Sequence, residues 1–135
     1  MRETKACACS GAKSLIFACS GACDVGEIAD RAARKISRDG VGKMYCMAGI
    51  GGRVDAIVKT AQTAGAILAI NGCALNCANR SLTEAGFEGF ESLFLAELGL
   101  EKGKSPVTDE AIAKVANQAK DLLTKTHRPK QQTHA

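Results

Sequence analysis

Residues 66–73 read AILAINGC, and this stretch decides the fold. Five apolar residues in succession are typical of a strand that is covered on both faces, as in a parallel sheet flanked by helices. The asparagine and glycine that follow are a turn signal, and Cys73 comes directly after them. The sequence therefore predicts a buried strand at 66–70 with a thiol next to its carboxyl end.

Two other apolar runs end in the same way. LIFACSG at 15–21 places Cys19 at the end of a predicted strand over 14–19, and MYCMAG at 44–49 places Cys46 at the end of a predicted strand over 42–46. A fourth strand is predicted near 90–97. Because the carboxyl ends of parallel strands share one edge of a sheet, we expect the three thiols to converge there.

Helices are predicted between these strands. The first covers about 24–40, with Asp24 as its cap, Glu27 in capping-box spacing and Gly40 at its end. The other predicted elements are a glycine-containing turn at 49–52 and helices at about 54–65, at 75–85 and from Thr108, which caps the last one.

Strands that alternate with helices predict an α/β fold, here a three-layer sandwich with a four-stranded, mostly parallel, Rossmann-like sheet and helices on both faces. The 135 residues suit one domain, predicted at 14–126, with a flexible Cys-x-Cys lead-in at 1–13 and a disordered polar tail at 127–135. If the strand order is 2-1-3-4, it reverses between strands 1 and 3. Ligands of open α/β sheets bind at such a reversal, between Cys19 and Cys73 here.

The composition argues against several classes of protein. Seven cysteines without a secretory signal indicate metal or redox chemistry and a cytoplasmic protein rather than a disulfide framework. The lack of a run of about 18 apolar residues argues against a membrane partner. Three of the 18 basic residues lie at 125–135, so the body is nearly neutral, and stacking aromatic residues are few. A nucleic-acid partner is therefore not expected.

The cysteines are predicted to bind a soft metal ion. Cys73 and Cys77 form an i, i+4 pair at a predicted helix start, a spacing that puts both sulfurs on one face. Cys19 and Cys46 would complete an all-thiolate tetrahedral set, which suits zinc. The auxiliary candidate ligands are Cys23, which repeats the i, i+4 spacing after Cys19, and the Cys-x-Cys pair Cys7 and Cys9.

Other interpretations use the same thiols. Four thiolates also suit an iron–sulfur cluster, and a protein of thiol redox or sulfur-transfer chemistry would use Cys19 or Cys73 as a nucleophile. Without any function, free cysteines simply pack as small hydrophobic residues. His127 and His134 fall in the polar tail, so catalysis by histidine is not expected. The sequence leaves open whether the protein is an enzyme and which protein is its partner.

Four segments resemble the DGC-domain family, to which zinc binding is attributed. They are FACSGACDVG at 17–26, CMAGIGG at 46–52, NGCALNCA at 71–78 and ELGLEKG at 97–103, within a similarity that spans about residues 7 to 125. The resemblance implies a small α/β domain with four chelating cysteines, which fall on the set predicted from spacing. The chain departs from the family at Asn71, where the name-giving motif has Asp, at Ala74, where Pro is common, and at Cys23. Asn71 cannot ligate a metal as a carboxylate, but it serves a tight turn as well as Asp does.

Overall fold

The computed structural model describes residues 13–127 and shows one four-stranded sheet. Its strands are β1 (Ser14–Ala18), β2 (Lys43–Met44), β3 (Ala66–Asn71) and β4 (Glu91–Phe94). Every pairing is parallel, and the order is β2-β1-β3-β4. The predicted α/β fold is confirmed. The observed order is the 2-1-3-4 order considered above, which reverses between β1 and β3.

Helices cover both faces of this sheet. They are α1 (Asp24–Arg38), α2 (Met47–Gly51), α3 (Asp55–Gln62), α4 (Cys77–Glu84) and α5 (Asp109–His127), with a 3-10 helix at Leu95–Leu98. One buried apolar cluster joins the sheet to α1 and α5, and a second joins it to α2, α3 and α4. The molecule therefore has three layers.

The two central strands explain why their sequences are continuously apolar. In β1, Ile16 and Ala18 belong to the cluster under α1 and α5, whereas Leu15 and Phe17 belong to the cluster on the opposite face. All five residues of β1 pair with β3, from Ser14 opposite Ala66 to Ala18 opposite Ile70. Alternate side chains thus enter different cores, and neither face tolerates a charged residue.

The start of α1 differs from the prediction. Cys23 is the N-cap residue and its side chain makes no capping hydrogen bond, while Asp24 is already helical. The predicted capping box with Glu27 is therefore wrong, because the Asp24 carboxylate turns to a distant loop described below. The predicted end is confirmed: Gly40, with φ of +81°, follows the C-cap residue Asp39.

The segment predicted as a glycine turn at 49–52 is instead mostly helical, since α2 spans Met47–Gly51. Gly49 is buried in this helix, and a β-carbon there would collide with the side chain of Ile57 in α3. The glycine is needed for close packing of α2 on α3 rather than for a turn.

The start of α4 also differs, with a consequence for the predicted thiol pair. The helix begins at Cys77 rather than near Leu75, because Asn76 adopts the left-handed conformation (φ 54°, ψ 45°) and acts as the N-cap. Asparagine tolerates that conformation better than most residues. Cys73 therefore lies in a loop, and the helical i, i+4 argument for its pairing with Cys77 is wrong.

Of the remaining predictions, one is confirmed, one is wrong and others fall on residues that the structure does not describe. Thr108 caps α5 as predicted, since its hydroxyl accepts a hydrogen bond from the Ala111 amide at 3.1 Å. β4 ends at Phe94, not near 97, because the chain continues as the 3-10 helix. Residues 1–12 of the predicted lead-in, with Cys7 and Cys9, lie outside the described residues, as does His134. Over 13–127, no helix has both the length and the apolar character needed to cross a bilayer.

Candidate metal centre

Cys19 lies where the two central strands end. Its amide donates to the Ile70 carbonyl at 3.1 Å, which extends the β1–β3 ladder by one residue. Its sulfur accepts a hydrogen bond from the Gly72 amide at 3.3 Å, and the side chain is half-buried. The Cys19 thiol is thus held against the loop that leads from β3 to Cys73.

Two glycines bring the loops of this edge into contact. A β-carbon on Gly72 would lie 2.8 Å from the Val25 carbonyl oxygen, and one on Gly26 would lie 2.6 Å from the Gly21 carbonyl oxygen. The first turn of α1 can rest on both loops only because these side chains are missing. The backbone after β1 and the backbone after β3 therefore pack directly on one another.

Four thiols share a cavity of about 480 Å³ at this edge. The cavity is lined by Cys19, Cys23, Cys73 and Cys77, together with Gly21, Ala22, Gly72, Leu75 and Lys102. Leu75 is 64% exposed, unusual for a large apolar side chain, and Cys77 is also exposed. The cavity is open to solvent and rich in sulfur.

Cys46 has different surroundings. It is the N-cap residue of α2, and its sulfur accepts a hydrogen bond from the Gly49 amide at 3.3 Å. The side chain is exposed and is not among those that line the cavity. The structure thus brings together three of the four predicted ligands, Cys19, Cys73 and Cys77, and adds Cys23 to them.

The donor set fits a soft metal, although the thiols are not in ligand positions. Within the described residues, no three cysteine, histidine or acidic side chains stand close enough to hold an ion as they are. All five cysteines in 13–127 are free thiols. Thiolates select zinc, copper(I) and iron–sulfur centres over harder ions. Binding one ion would require the loops that carry these thiols to draw together.

The carboxylate of Asp24 holds the loop around residues 103–105 at this edge of the sheet. The Asp24 side chain accepts hydrogen bonds from the amides of Gly103 (2.9 Å), Ser105 (3.1 Å) and Val25 (2.8 Å). These donors, with Gly103 foremost, lower the pKa of Asp24 below its ordinary value. These hydrogen bonds of Asp24, called the clasp below, hold the segment that contains Lys102. Lys102 is the only charged side chain among the described residues lining the cavity.

Comparison with known proteins identifies the family. A family model described as the DGC domain matches residues 15–119. The chain belongs to the DGC domain family. The protein named Anaerobic and virulence modulator AnvM, from Pseudomonas aeruginosa, is 36% identical over 88 residues, which is 65% of this chain and 67% of that relative. No solved structure matches the chain significantly.

In this member of the DGC domain family, Asn71 has a structural role. It is buried, its amide nitrogen donates to Asn79 Oδ1 at 2.8 Å, and its Oδ1 accepts from the Asn79 backbone amide at 3.1 Å. The Ser92 hydroxyl donates to the same Asn79 oxygen at 3.1 Å. The network ties β3 and β4 to α4, and so helps to place the helix that begins at Cys77.

Three residues at the site were not predicted from the sequence. Gly26 carried a usable signal, because an isolated glycine inside a helical pattern often marks a close approach of backbones. The sequence around Lys102 and Leu75 gave no sign that these residues line the cavity. The loop that carries Lys102 is held at the cavity by the hydrogen bonds from Gly103 and Ser105 to Asp24. These partners are 79 and 81 positions apart in the chain, so a local sequence pattern cannot indicate the contact.

Proposed function

We propose that this protein binds one soft metal ion, zinc, through cysteine thiolates at the carboxyl edge of its sheet. The observation that carries the proposal is the single cavity onto which thiols from the ends of β1 and β3 open. Cys19, Cys73 and Cys77 belong both to the set predicted from sequence and to this cavity. Cys46 is the fourth ligand of the predicted set.

The exposure of these thiols supports the proposal against a packing role. Cysteines that serve only as small hydrophobic residues are among the most deeply buried side chains. Here Cys77 is exposed, and Cys19 and Cys73 are half-buried. Zinc, when bound, would neutralise part of the thiolate charge and hold the two loops together.

A metal-handling or sensing role fits this site better than a purely structural one. The largest buried side chains, which include Phe17, Ile16 and Leu68, pack in two clusters without help from a metal. The domain therefore has a core of its own. The Pseudomonas relative is named a modulator, and a sensing role for this chain, in the cytoplasm, is the corresponding proposal.

Elemental analysis with a thiol count tests the proposal. The full chain would be purified anaerobically without chelator, and its free thiols titrated before and after a chelator is added. We expect about one zinc ion per chain and four of the seven thiols protected until the chelator is present.

Two results would contradict zinc binding. Iron and sulfide with visible absorbance would assign the thiols to an iron–sulfur cluster, since zinc has no such absorbance. Absence of metal with all seven thiols reactive would leave thiol redox or sulfur transfer as the function.

A further inference from the structure

The cavity contains a thiol outside the four-cysteine set predicted from spacing. We infer that Cys23, rather than Cys46, completes the zinc-binding set with Cys19, Cys73 and Cys77. The inference rests on the proposed function and replaces one ligand of the proposed zinc site. The structure supports it through three separate features: the position of Cys23, the engagement of Cys46, and the order of the strands.

The first feature is the position of Cys23. Its side chain lines the same cavity as Cys19 and Cys73, and all three pack against the same apolar cluster. Two residues further on, the Val25 backbone lies so close to Gly72 that a β-carbon would not fit between them. Cys23 is thus held beside the loop that carries Cys73.

The second feature is the hydrogen bonding of the Cys23 and Cys46 sulfurs. Each cysteine is the N-cap residue of a helix, yet only Cys46 caps with its side chain, which accepts from the Gly49 amide at 3.3 Å. Cys23 makes no such bond. Turning Cys46 toward the cavity would uncap α2, whereas Cys23 has no capping hydrogen bond to lose. The Cys19 sulfur differs from that of Cys46, because it lines the cavity while it accepts its hydrogen bond from Gly72.

The third feature is the strand order. Cys46 follows β2, which is separated from β3 by β1. Neighbouring strands are about 4.8 Å apart, so the ends of β2 and β3 are about 9.6 Å apart. Sulfurs that share one zinc ion, each at about 2.3 Å from it, lie within about 4 Å of one another. Cys23 follows β1, the neighbour of β3, and it lines the same cavity as Cys73.

Two serine variants of the full chain test the inference as a matched pair. Serine is a preferred N-cap residue, so Cys23→Ser and Cys46→Ser should each preserve the helix that begins there. Zinc affinity would be measured by competition with a chromophoric chelator, and thiolate ligation by the charge-transfer band of the cobalt(II)-loaded protein. Circular dichroism of the metal-free variants would check that both are folded.

We expect Cys23→Ser to lower zinc affinity by about 100-fold or more, because even the loss of a residue that only orients a ligand costs about 10- to 100-fold. The cobalt charge-transfer band should weaken in the same variant. Cys46→Ser should bind zinc within about threefold of wild type, with the band unchanged.

The other outcomes are distinct. If Cys46→Ser loses affinity and Cys23→Ser does not, the inference is overturned while the proposed function stands on the predicted set. If both variants lose affinity equally, Cys46 is also a ligand and the inference is again overturned. If the wild-type chain binds no zinc, the proposed function and the inference are overturned together.

Discussion

Cys19 and Cys46 each follow a parallel strand, yet their surroundings differ. The Cys19 sulfur accepts a hydrogen bond from Gly72, in the loop after the neighbouring strand, so it contacts a part of the chain far away in sequence. The Cys46 sulfur accepts from Gly49, three residues ahead in its own helix. One thiol connects two loops, and the other stabilises one helix end.

The contrast follows from the position of each strand in the sheet. β1 lies between two partners and is buried on both faces, whereas β2 is a two-residue strand at the edge. The first turn of α1, which follows β1, packs at Gly72 on the loop after β3. Alignment at one edge of a sheet therefore predicts which thiols are near that edge, while contact between the loops decides which of them share a cavity.

The strongest test of this contrast removes the contact between the loops. In Gly72→Ala, the new methyl group would lie 2.8 Å from the Val25 oxygen and 2.9 Å from its carbonyl carbon, so the backbones must separate. We expect the free energy of unfolding to fall by about 1–3 kcal/mol, measured by urea denaturation, and zinc affinity to fall with it.

Gly21→Ala is the matched control, because a β-carbon there meets no atom within 4 Å. It adds the same methyl group to the loop after β1, where no collision results. Equal stability of the two variants would show that the close approach at Gly72 does not hold the loops together.

A smaller effect is expected from the clasp at Asp24. Because amide donors lower the folded-state pKa of Asp24 below its ordinary value of 3.8, its stabilisation is present above that value and is lost as pH falls through the folded-state pKa. Asp24→Asn should therefore be less stable than wild type at neutral pH, with a gap that closes below about pH 4.

Thermal unfolding of both proteins between neutral and acidic pH measures this gap. Asp55→Asn serves as the control, since Asp55 pairs with Lys59 across an exposed helix surface at 3.2 Å. A gap of constant size across the range would mean that the charge of Asp24 does not contribute to the clasp.

The smallest predicted effect concerns Lys102. Four thiolates around Zn²⁺ leave an excess of negative charge, which the ammonium group of Lys102 would partly offset at the cavity. Lys102→Gln should weaken zinc binding by about two- to fivefold, and added salt should reduce the difference. Lys104→Gln is the control, because Lys104 pairs with Glu101 at 3.5 Å and does not line the cavity. Equal effects of the two variants would assign the loss to net charge alone.

The fold could be predicted because its information is local. The apolar runs at 15–18 and 66–70 become the buried central strands, and Thr108 caps α5 as its position indicated. Predictions that depended on where a helix begins were less accurate. The left-handed conformation of Asn76 delays α4, and close packing of Gly49 permits α2 where a turn was expected. Both effects come from tertiary contacts or from single dihedral angles, which periodicity does not report.

The candidate site could be predicted in part for the same reason. Cys19, Cys73 and Cys77 follow β1 and β3, the two strands between which the order reverses, so the predicted reversal groups them. Cys23 and Lys102 reach the cavity through the loop contact at Gly72 and the clasp at Asp24. Those contacts exist only in the folded chain.

The long sequence separation across the clasp determines when it can form during synthesis of the chain. Its hydrogen bonds join Asp24 to residues 79 and 81 positions later in the chain, so on a ribosome adding about 5–20 residues per second, it closes on the order of ten seconds after Asp24 is made. Of the residues that line the cavity, Cys19 and Cys23 are synthesised before Cys73 and Cys77, and Lys102 comes last. If the proposed site binds zinc, an ion that meets the growing chain would find two of these thiols before the other two are made.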